Sequence, residues 1–383
     1  MTTRGAERSR SPFIVMQKQV ISTSLNDRFY FNILSVTSPK FDSILVIFKV
    51  MNPKISVCIP VFRSEKTLPE CLESVAKQTF RDFEVVIVDD CSDGKDGKGR
   101  SAKKIAKEFS KLLKKEKIHV EYIRHSSNLG LLEARRTLVE AATGDYILML
   151  DSDDELFSDS LESLFGSAKK TDADITHGKA QAFLTNEGNE SERIRLQKIQ
   201  EKTSRIEKEP LTGGQIRRKW LLENSHTSYL WGKLIKREIY ASAFEKIPFV
   251  KATMAEDVLQ YFFIAGLSKS YVPLDKEIYR YRADSGITSN RRIETEEDWE
   301  RVAQAADIFT AIFAQIDEGE ATVDSEEESA IAGMCRNHLA NNIVQMELVS
   351  ENLKERAREI LSEHWGENFV LTAEKQMGQK PKC

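Results

Sequence analysis

Three aspartates, Asp151, Asp153 and Asp154, follow directly after an apolar run in the segment YILMLDSDDELF. Carboxylates this close repel one another unless a positive charge lies between them. Their hard oxygen atoms suit Mg²⁺ or Mn²⁺, and a cation bound there could also hold a phosphate-bearing substrate. The alternative is a polar turn in which Ser158 or Asp159 caps the next helix. Because the turn ends a buried strand beside other carboxylates, we predict the metal site.

A second acidic pair, Asp89 and Asp90, ends the apolar run EVVIV. A carboxylate at such a position can accept hydrogen bonds from a nucleobase N–H or a ribose hydroxyl. The alternative is a turn opened by aspartate and helped by Gly94 and Gly97. This loop matches neither GxxxxGK[ST] nor GxGxxG, which argues against a P-loop enzyme and against a typical dinucleotide-binding dehydrogenase.

The elements around these acids alternate short apolar runs with amphipathic stretches, as βαβ units do. From residue 54 the sequence predicts four strands, ISVCIPV, EVVIVDD, KIHVEYIRH and YILML, with helices between them. Strands without polar alternation predict a parallel sheet covered on both faces. Ligands of such sheets bind at the carboxyl ends of the strands. The polar residues found there are Asp89, Asp90, Asn128 and residues 151–154.

The rest of the chain is read more coarsely. The polar stretch 187–209 predicts a solvated hairpin, a helix or a mobile insertion, with a lid over the site as the alternative. Helices are expected near residues 214–222 and after Glu256, and the sequence beyond Thr295 predicts helices whose apolar stripe packs against a core. Residues 1–50 carry little pattern. We expect an appendage there, or a start codon placed too early with Met51 as the true start.

Composition limits the class of protein. Hydrophobic residues make up 40% and charged residues 30% of the chain, which is typical of a soluble globular protein. The net charge of −4 gives no sign of a nucleic-acid partner. The five cysteines are scattered without metal-ligand spacing and predict a reduced, cytosolic chain. No stretch approaches the roughly 20 apolar residues that cross a bilayer.

Two longer segments, CIPVFRSEKTLPECLESVAKQTFRDFEVVIVDDCSDG and NLGLLEARRTLVEAATGDYILMLDSDD, resemble the nucleotide-binding half of family 2 glycosyltransferases. The similarity is close over residues 54–154 and looser to about Arg282. It implies the α/β GT-A nucleotide-diphospho-sugar transferase fold, a mostly parallel sheet flanked by helices, with a C-terminal helical extension. Together with the lack of pattern near the start, it indicates an N-terminal extension at 1–52 that is disordered or results from a start codon placed too early, a GT-A domain at 53–285, and a helical region at 286–383.

The resemblance also implies the residues of a donor site. Those that would border the donor are Pro60, Val61, Phe62, Glu65, Asp90, Asn128, Gly130, Arg135, Asp151 and Ser152. Asp151 and Asp153 would form the family's DxD element and hold Mn²⁺ or Mg²⁺. Arg135 would supply a charge that a nucleotide diphosphate needs, although a solvated cation on a helix surface is the alternative.

Sugar transfer to a hydroxyl also needs a base on the acceptor side. In KATMAEDVLQYFF, Glu256 and Asp257 occupy the place where the family carries an ED pair, which implies that Asp257 is the base. The alternative is two acids placed favourably in the first turn of a helix.

A further segment, SYLWGKLIKREIY, resembles the W-x-K-L segment of bacterial family members that decorate surface polysaccharides. It implies that Trp231 stacks on a sugar and that Lys233 contacts a phosphate, with core and surface roles as alternatives. Arg282 is expected to reach the diphosphate, with Ser285 and Thr288 nearby.

The function that follows is an inverting, metal-dependent glycosyltransferase. It would move a sugar from a nucleotide-sugar, most often a UDP-sugar in this family, to a hydroxyl of a glycan or lipid-linked acceptor. A sugar-nucleotide nucleotidyltransferase is the alternative enzyme, but PVFRSEK lacks its Gly-rich turn. A non-catalytic nucleotide-sugar-binding scaffold is the alternative outside enzymes. We expect a cytoplasmic protein that touches the inner face of the membrane through its Lys-rich or C-terminal helices, without nucleic-acid partners, and the sequence leaves its oligomeric state open.

Overall fold

The computed structural model describes residues 52–186, 189–284 and 292–378, together with the backbone of three strands between residues 13 and 49. The chain divides into two compact units, residues 1–52 and residues 53–383. Ser285, Thr288 and the expected domain boundary at 285 and 286 lie outside the described residues.

The smaller unit contains an antiparallel sheet of β1 (Phe13–Ser22), β2 (Arg28–Ser38) and β3 (Phe41–Lys49) in that order. The sequence analysis did not predict these strands. Their enrichment in Val, Ile and Phe, which favour strands, is the signal that indicates them.

The larger unit is built on a nine-stranded mixed sheet of order β10-β12-β9-β11-β7-β4-β5-β6, with β8 paired to β12. Its strands are β4 (Ile55–Val61), β5 (Phe83–Asp89), β6 (Val120–Arg124), β7 (Tyr146–Met149), β8 (Glu155–Leu156), β9 (Ile175–Phe183), β10 (Leu211–Thr212), β11 (Lys233–Lys236) and β12 (Ser270–Arg282).

Thirteen helices of the described residues cover this sheet and extend beyond it. They are α1 (Leu68–Ala76), α2 (Ala102–Lys114), α3 (Leu131–Ala141), α4 (Ser160–Thr171), α5 (Glu190–Thr203), α6 (Gln215–Glu223), α7 (Arg237–Lys246), α8 (Glu256–Leu267), α9 (Glu296–Ala303), α10 (Ala305–Asp317), α11 (Ser325–Gln345), α12 (Lys354–Trp365) and α13 (Glu367–Gly378). None of the described helices is both long and apolar enough to cross a membrane.

The four strands predicted from the sequence, β4 to β7, pair in parallel, which confirms the expected α/β architecture. Every residue of β4 and β5 is buried, as expected for strands covered by helices on both faces. Beyond β7 the sheet becomes mixed, because β11 runs antiparallel to both β7 and β9. The polar stretch 187–209 contains a helix, α5.

The C-terminal helices belong to the same core as one face of the sheet. Successive strand residues point to opposite faces, and Cys58 and Val86 join one apolar cluster while Val57 and Val85 join another. The first cluster continues through α3 and α8 into the C-terminal helices and includes Trp299. The helices after residue 292 therefore pack with the sheet.

Replacing Trp299 by alanine should destabilise the whole unit. The indole is 1% exposed, and its Nε1 donates a hydrogen bond of 2.7 Å to the carbonyl of Ala357. Loss of a buried tryptophan costs about 3–5 kcal/mol, measurable by urea denaturation. The control is Phe249→Ala at a side chain 67% exposed, expected within about 0.5 kcal/mol of wild type. Equal losses in both variants would contradict a shared core.

Candidate active site

The loop after β4 and the acidic turn after β7 meet at the carboxyl edge of the sheet. The hydroxyls of Ser64 and Ser152 lie 2.6 Å apart. The hydroxyl of Thr67 donates to the backbone carbonyl of Ser152 at 3.1 Å. These bonds hold residues 62–67 beside residues 151–154, as the parallel order of β4 and β7 requires.

Asp90 is buried, and its carboxylate organises the loop before α3. Its oxygens accept hydrogen bonds from Asn128 Nδ2 and from the backbone N–H groups of Leu129 and Gly130, each at 2.9 Å. His125 Nδ1 lies 2.7 Å from one of the same oxygens. With its oxygens engaged in this way, Asp90 fixes the position of residues 128–130.

Gly130 lets that loop approach the segment before α8. Its φ is +90°, and a Cβ at this position would lie 2.9 Å from the carbonyl oxygen of Ala252. The same carbonyl accepts a hydrogen bond from the Leu132 N–H at 3.2 Å. Only glycine combines this backbone conformation with so close a contact.

Arg135 connects the acidic turn with the start of α8. Its side chain is 2% exposed, and its guanidinium donates to Glu256 Oε1 at 2.7 Å and to Asp151 Oδ1 at 3.0 Å. Burial disfavours the charged form, but Asp151 and Glu256 hold the pKa of Arg135 above its usual value. Burial raises the pKa of Glu256, and the charge of Arg135 opposes that rise.

Asp257 lies half-buried in the first turn of α8. Its Oδ2 accepts a hydrogen bond from the Ser228 hydroxyl at 3.1 Å, and its Oδ1 accepts from the Val258 N–H at 3.0 Å. Ala255, which comes directly before Glu256, has a φ of +62°, a conformation that costs an alanine about 1–3 kcal/mol. The backbone is therefore strained beside the two acids of the ED pair.

The acidic turn directs its carboxylates in two directions. Asp154 is buried, where it accepts from the Tyr279 hydroxyl and from the Arg282 N–H, both at 2.7 Å. Asp151 and Asp153 remain partly exposed. Burial, followed by the charges of Asp153 and Asp151, raises the pKa of Asp154 well above its usual value. The turn therefore offers two partly exposed carboxylates, while the third is withdrawn into the interior.

The turn fits a cation that a substrate helps to bind. No group of three or more His, Cys, Asp or Glu side chains in the described part of the chain is arranged to hold a metal ion. Mg²⁺, however, is usually bound by one or two carboxylates together with substrate phosphates and water. Asp151 and Asp153 supply such a pair of hard oxygen donors.

The end of β4 and the residues after it form one side of the candidate site, called here the β4 wall (residues 60–65). It contains a carboxylate oxygen of Glu65 that is available as a hydrogen-bond acceptor. Pro60 and Val61 are buried within β4. Glu65 is 3% exposed, and its Oε1 has no hydrogen-bond partner among the described residues. A Cβ on Gly94 would lie 2.3 Å from Glu65 Oε2, so this glycine lets the next loop pack against the carboxylate.

Phe62, in the β4 wall, contacts Arg301 of the C-terminal helix α9. The guanidinium groups of Arg63 and Arg301 lie 5.0 Å and 5.4 Å from the centre of its ring. Arg301 belongs to α9, where it pairs with Glu297 and Asp298. Sequence analysis missed Arg301, and also Ser64 and Ser228, because no local pattern links them to residues so distant in the chain.

Trp231 lies inside the protein. Its indole is buried and nearly parallel to the rings of Tyr229, Tyr279 and Tyr281, at centroid distances of 4.6, 4.7 and 5.4 Å. This stack differs from the expectation that Trp231 stacks on a sugar, because protein rings already pack against the indole.

Lys233 and Arg282 are also engaged within the protein. Lys233 is fully buried and donates to the Thr227 hydroxyl, at 3.3 Å, and to the Tyr229 carbonyl. Burial lowers the pKa of Lys233 well below its usual value. Arg282 donates to Glu70 at 2.5 Å and to the Asp153 carbonyl at 2.8 Å. These contacts differ from the phosphate and diphosphate contacts expected from the sequence.

Comparison with known proteins gives consistent results. Residues 56–244 match the family model described as glycosyl transferase family 2. The glycosyltransferase GlyA of Streptococcus pneumoniae serotype 4 is 31% identical over 244 residues, which cover 63% of this chain but only 32% of GlyA. GlyG of the same organism is 25% identical over 263 residues, covering 66% of this chain and 77% of GlyG.

A solved structure resembles this one in fold. The structure of TarS 1-349 from S. aureus in complex with UDP-GlcNAc superposes with a TM-score of 0.50 at 19% identity, covering 85% of this chain and 92% of that chain. At this level of identity the likeness concerns the fold alone.

Replacing Arg135 by methionine should destabilise the protein by about 3–5 kcal/mol at pH 8, because it leaves Asp151 and Glu256 without their shared cation. The loss should be smaller at pH 5. A carboxyl whose pKa is higher in the folded than in the unfolded state binds a proton on folding. The free energy of unfolding that is lost by leaving this carboxyl unpaired therefore decreases as the pH falls. Urea denaturation at both pH values measures the difference.

The control is Arg356→Met, which removes surface pairs with Glu359 and Glu363 and should cost less than about 1 kcal/mol. If both variants lost a similar free energy of unfolding at both pH values, the Arg135 bridge would contribute no more to stability than a surface ion pair.

Proposed function

Since this chain belongs to glycosyltransferase family 2, we propose that it transfers a sugar from a nucleotide-sugar, in particular a UDP-sugar, to a hydroxyl of a glycan or lipid-linked acceptor. The reaction is a single displacement that inverts the anomeric carbon, and it depends on Mn²⁺ or Mg²⁺. The enzyme acts in the cytoplasm.

The observation that carries this proposal is the bridge of Arg135 between Asp151 and Glu256. It holds a turn suited to a diphosphate and its cation beside a helix start that offers the carboxylate of Asp257. In a single displacement, the attacking hydroxyl and the leaving diphosphate must be held on opposite sides of the same anomeric carbon at the same time. The bridge therefore supports the proposal that the turn after β7 binds the donor and that the start of α8, next to it, binds the acceptor.

On the donor side, Glu65 is proposed to accept a hydrogen bond from the nucleobase or the ribose through its unpartnered Oε1. Phe62, whose side chain is partly exposed, is proposed to border the same part of the donor. Pro60 and Val61 support the β4 wall. Asp90 acts indirectly in this proposal, because its bonds to residues 128–130 fix the backbone of the Asn128 and Gly130 loop.

Asp151 and Asp153 would hold the divalent cation, which, when bound, would neutralise charge on the diphosphate as it leaves. Arg135 orients Asp151 through its hydrogen bond of 3.0 Å to Oδ1. The hydroxyl of Ser152, bonded to Ser64, keeps the turn against the loop after β4. These residues therefore bind and orient the leaving group.

On the acceptor side, Asp257 accepts the proton of the acceptor hydroxyl. The acceptor oxygen forms a bond to the anomeric carbon while the bond from that carbon to the phosphate oxygen breaks. Ser228 and the Val258 N–H aim the carboxylate. Glu256, paired with Arg135, fixes the first turn of α8. Trp231, Lys233 and Arg282 support the loops around the cleft from inside the protein.

Replacing Asp257 by asparagine should reduce the rate of transfer by about 100- to 10,000-fold, the usual contribution of a general base, while nucleoside diphosphate binding is retained. The measurement is UDP release from a panel of UDP-sugars with Mn²⁺, by transfer or slow hydrolysis, with UDP binding followed by calorimetry.

The control is Asp275→Asn, at an exposed acid paired with Lys179, which should leave the rate unchanged. Full activity of Asp257→Asn would remove Asp257 from its role as base. Metal-dependent UDP binding by the wild type without turnover on any acceptor would favour a scaffold instead of an enzyme.

Replacing Glu65 by alanine should raise the dissociation constant for UDP by about 10-fold or more, because a hydrogen bond to a charged group contributes about 1.5–3 kcal/mol. The comparison is Glu73→Ala on α1, an exposed glutamate paired with Lys77, which should bind UDP as the wild type does. Calorimetry with Mn²⁺ present measures both. Unchanged affinity in Glu65→Ala would place the nucleoside elsewhere.

A further inference from the structure

Helix α2 carries a one-sided array of positive charge. One side of the helix packs into the core through Ala102, Ile105, Ala106, Phe109 and Leu113. The opposite side is exposed. With 3.6 residues per turn, the exposed lysines of α2 and of its C-cap, Lys115, fall on a continuous strip, called here the lysine face: Lys103, Lys104, Lys107, Lys111, Lys114 and Lys115.

The charge of the lysine face is not neutralised by the protein. None of its six lysines forms an ion pair with a carboxylate of the described residues. The two glutamates of this segment are already used, because Glu108 pairs with Arg100 and Glu116 pairs with Arg81. This uncompensated strip belongs to a chain whose net charge is −4, so the positive charge is concentrated and does not follow from the overall composition.

We infer that the lysine face docks on the surface of an anionic lipid bilayer. A straight helix of this length presents its lysines over about 20 Å, which suits a flat layer of phosphate headgroups. Lysines attract such a surface by charge alone.

The composition of the face favours lipid over nucleic acid. Nucleic-acid surfaces combine charge with arginine forks and aromatic rings that stack on bases. The lysine face contains neither an arginine nor an aromatic residue. Its helix begins at Ala102, with Ser101 as the N-cap, directly after the loop that packs on Glu65 through Gly94. Docking would therefore bring the donor end of the cleft close to the bilayer, where lipid-linked acceptors lie.

The experiment is flotation of the full-length protein with vesicles. Vesicles of 70% phosphatidylcholine and 30% phosphatidylglycerol should bind the wild type at about 0.1 M NaCl, and pure phosphatidylcholine should not. At about 0.5 M NaCl binding should be lost, because salt screens the attraction. The fourfold variant Lys103→Gln, Lys107→Gln, Lys111→Gln and Lys114→Gln should bind at least 10-fold more weakly, since each lysine near such a surface contributes about fivefold.

The matched control changes four other exposed lysines to glutamine, Lys169, Lys170, Lys198 and Lys208, and should bind as the wild type does. Both variants should bind UDP equally well, which separates this test from that of the proposed activity. The inference is overturned if the wild type does not bind anionic vesicles, or if it binds neutral vesicles as strongly as anionic ones. It is also overturned if the two fourfold variants lose the same amount of binding. It is also overturned if a DNA duplex binds the lysine face while vesicles do not.

Discussion

The buried guanidinium of Arg135 is the contact on which the cleft depends. Removing three charged groups from water is costly, and the cost is offset only while the geometry of the pairs is maintained. Because its two NH₂ groups bond to residues of different elements, the guanidinium fixes α3, the turn after β7 and the start of α8 relative to one another. Strain at Ala255 and the tight contact of Gly130 surround this centre, which indicates that the packing around it holds the backbone in costly conformations.

Much of the fold could be predicted because its signals are local. β4 occupies residues 55–61 as expected. A strand that is apolar on both faces is stable where helices cover both sides of a parallel sheet. The helices α3, α6 and α8 follow apolar spacing and also lie where the sequence indicates them. The strands β9 and β11 were missed, because their pairing is set by partners far along the chain and their sequences, ITHGKAQAF and KLIK, mix polar and apolar residues.

The candidate site could be predicted by residue type but less well by contact. Asp151, at the end of β7, and Glu256 of the ED pair meet through Arg135, and both belong to segments that the sequence singles out. The sequence could not reveal that Asp90 would bond to its neighbouring loop, or that Trp231 and Lys233 would lie inside the protein. Such outcomes depend on tertiary partners: Arg282, for example, pairs with Glu70, 212 residues away.

The common core of the sheet and the C-terminal helices limits how this scaffold can be reshaped. Cys58 and Val86 on the strands and Trp299 on α9 belong to one apolar cluster, and interiors packed at this density tolerate few changes of volume. Chimeras that graft helices from a homologue to gain a new acceptor preference would therefore need matching substitutions on the strands. Recombination is better aimed at surface loops than at the junction near residue 292.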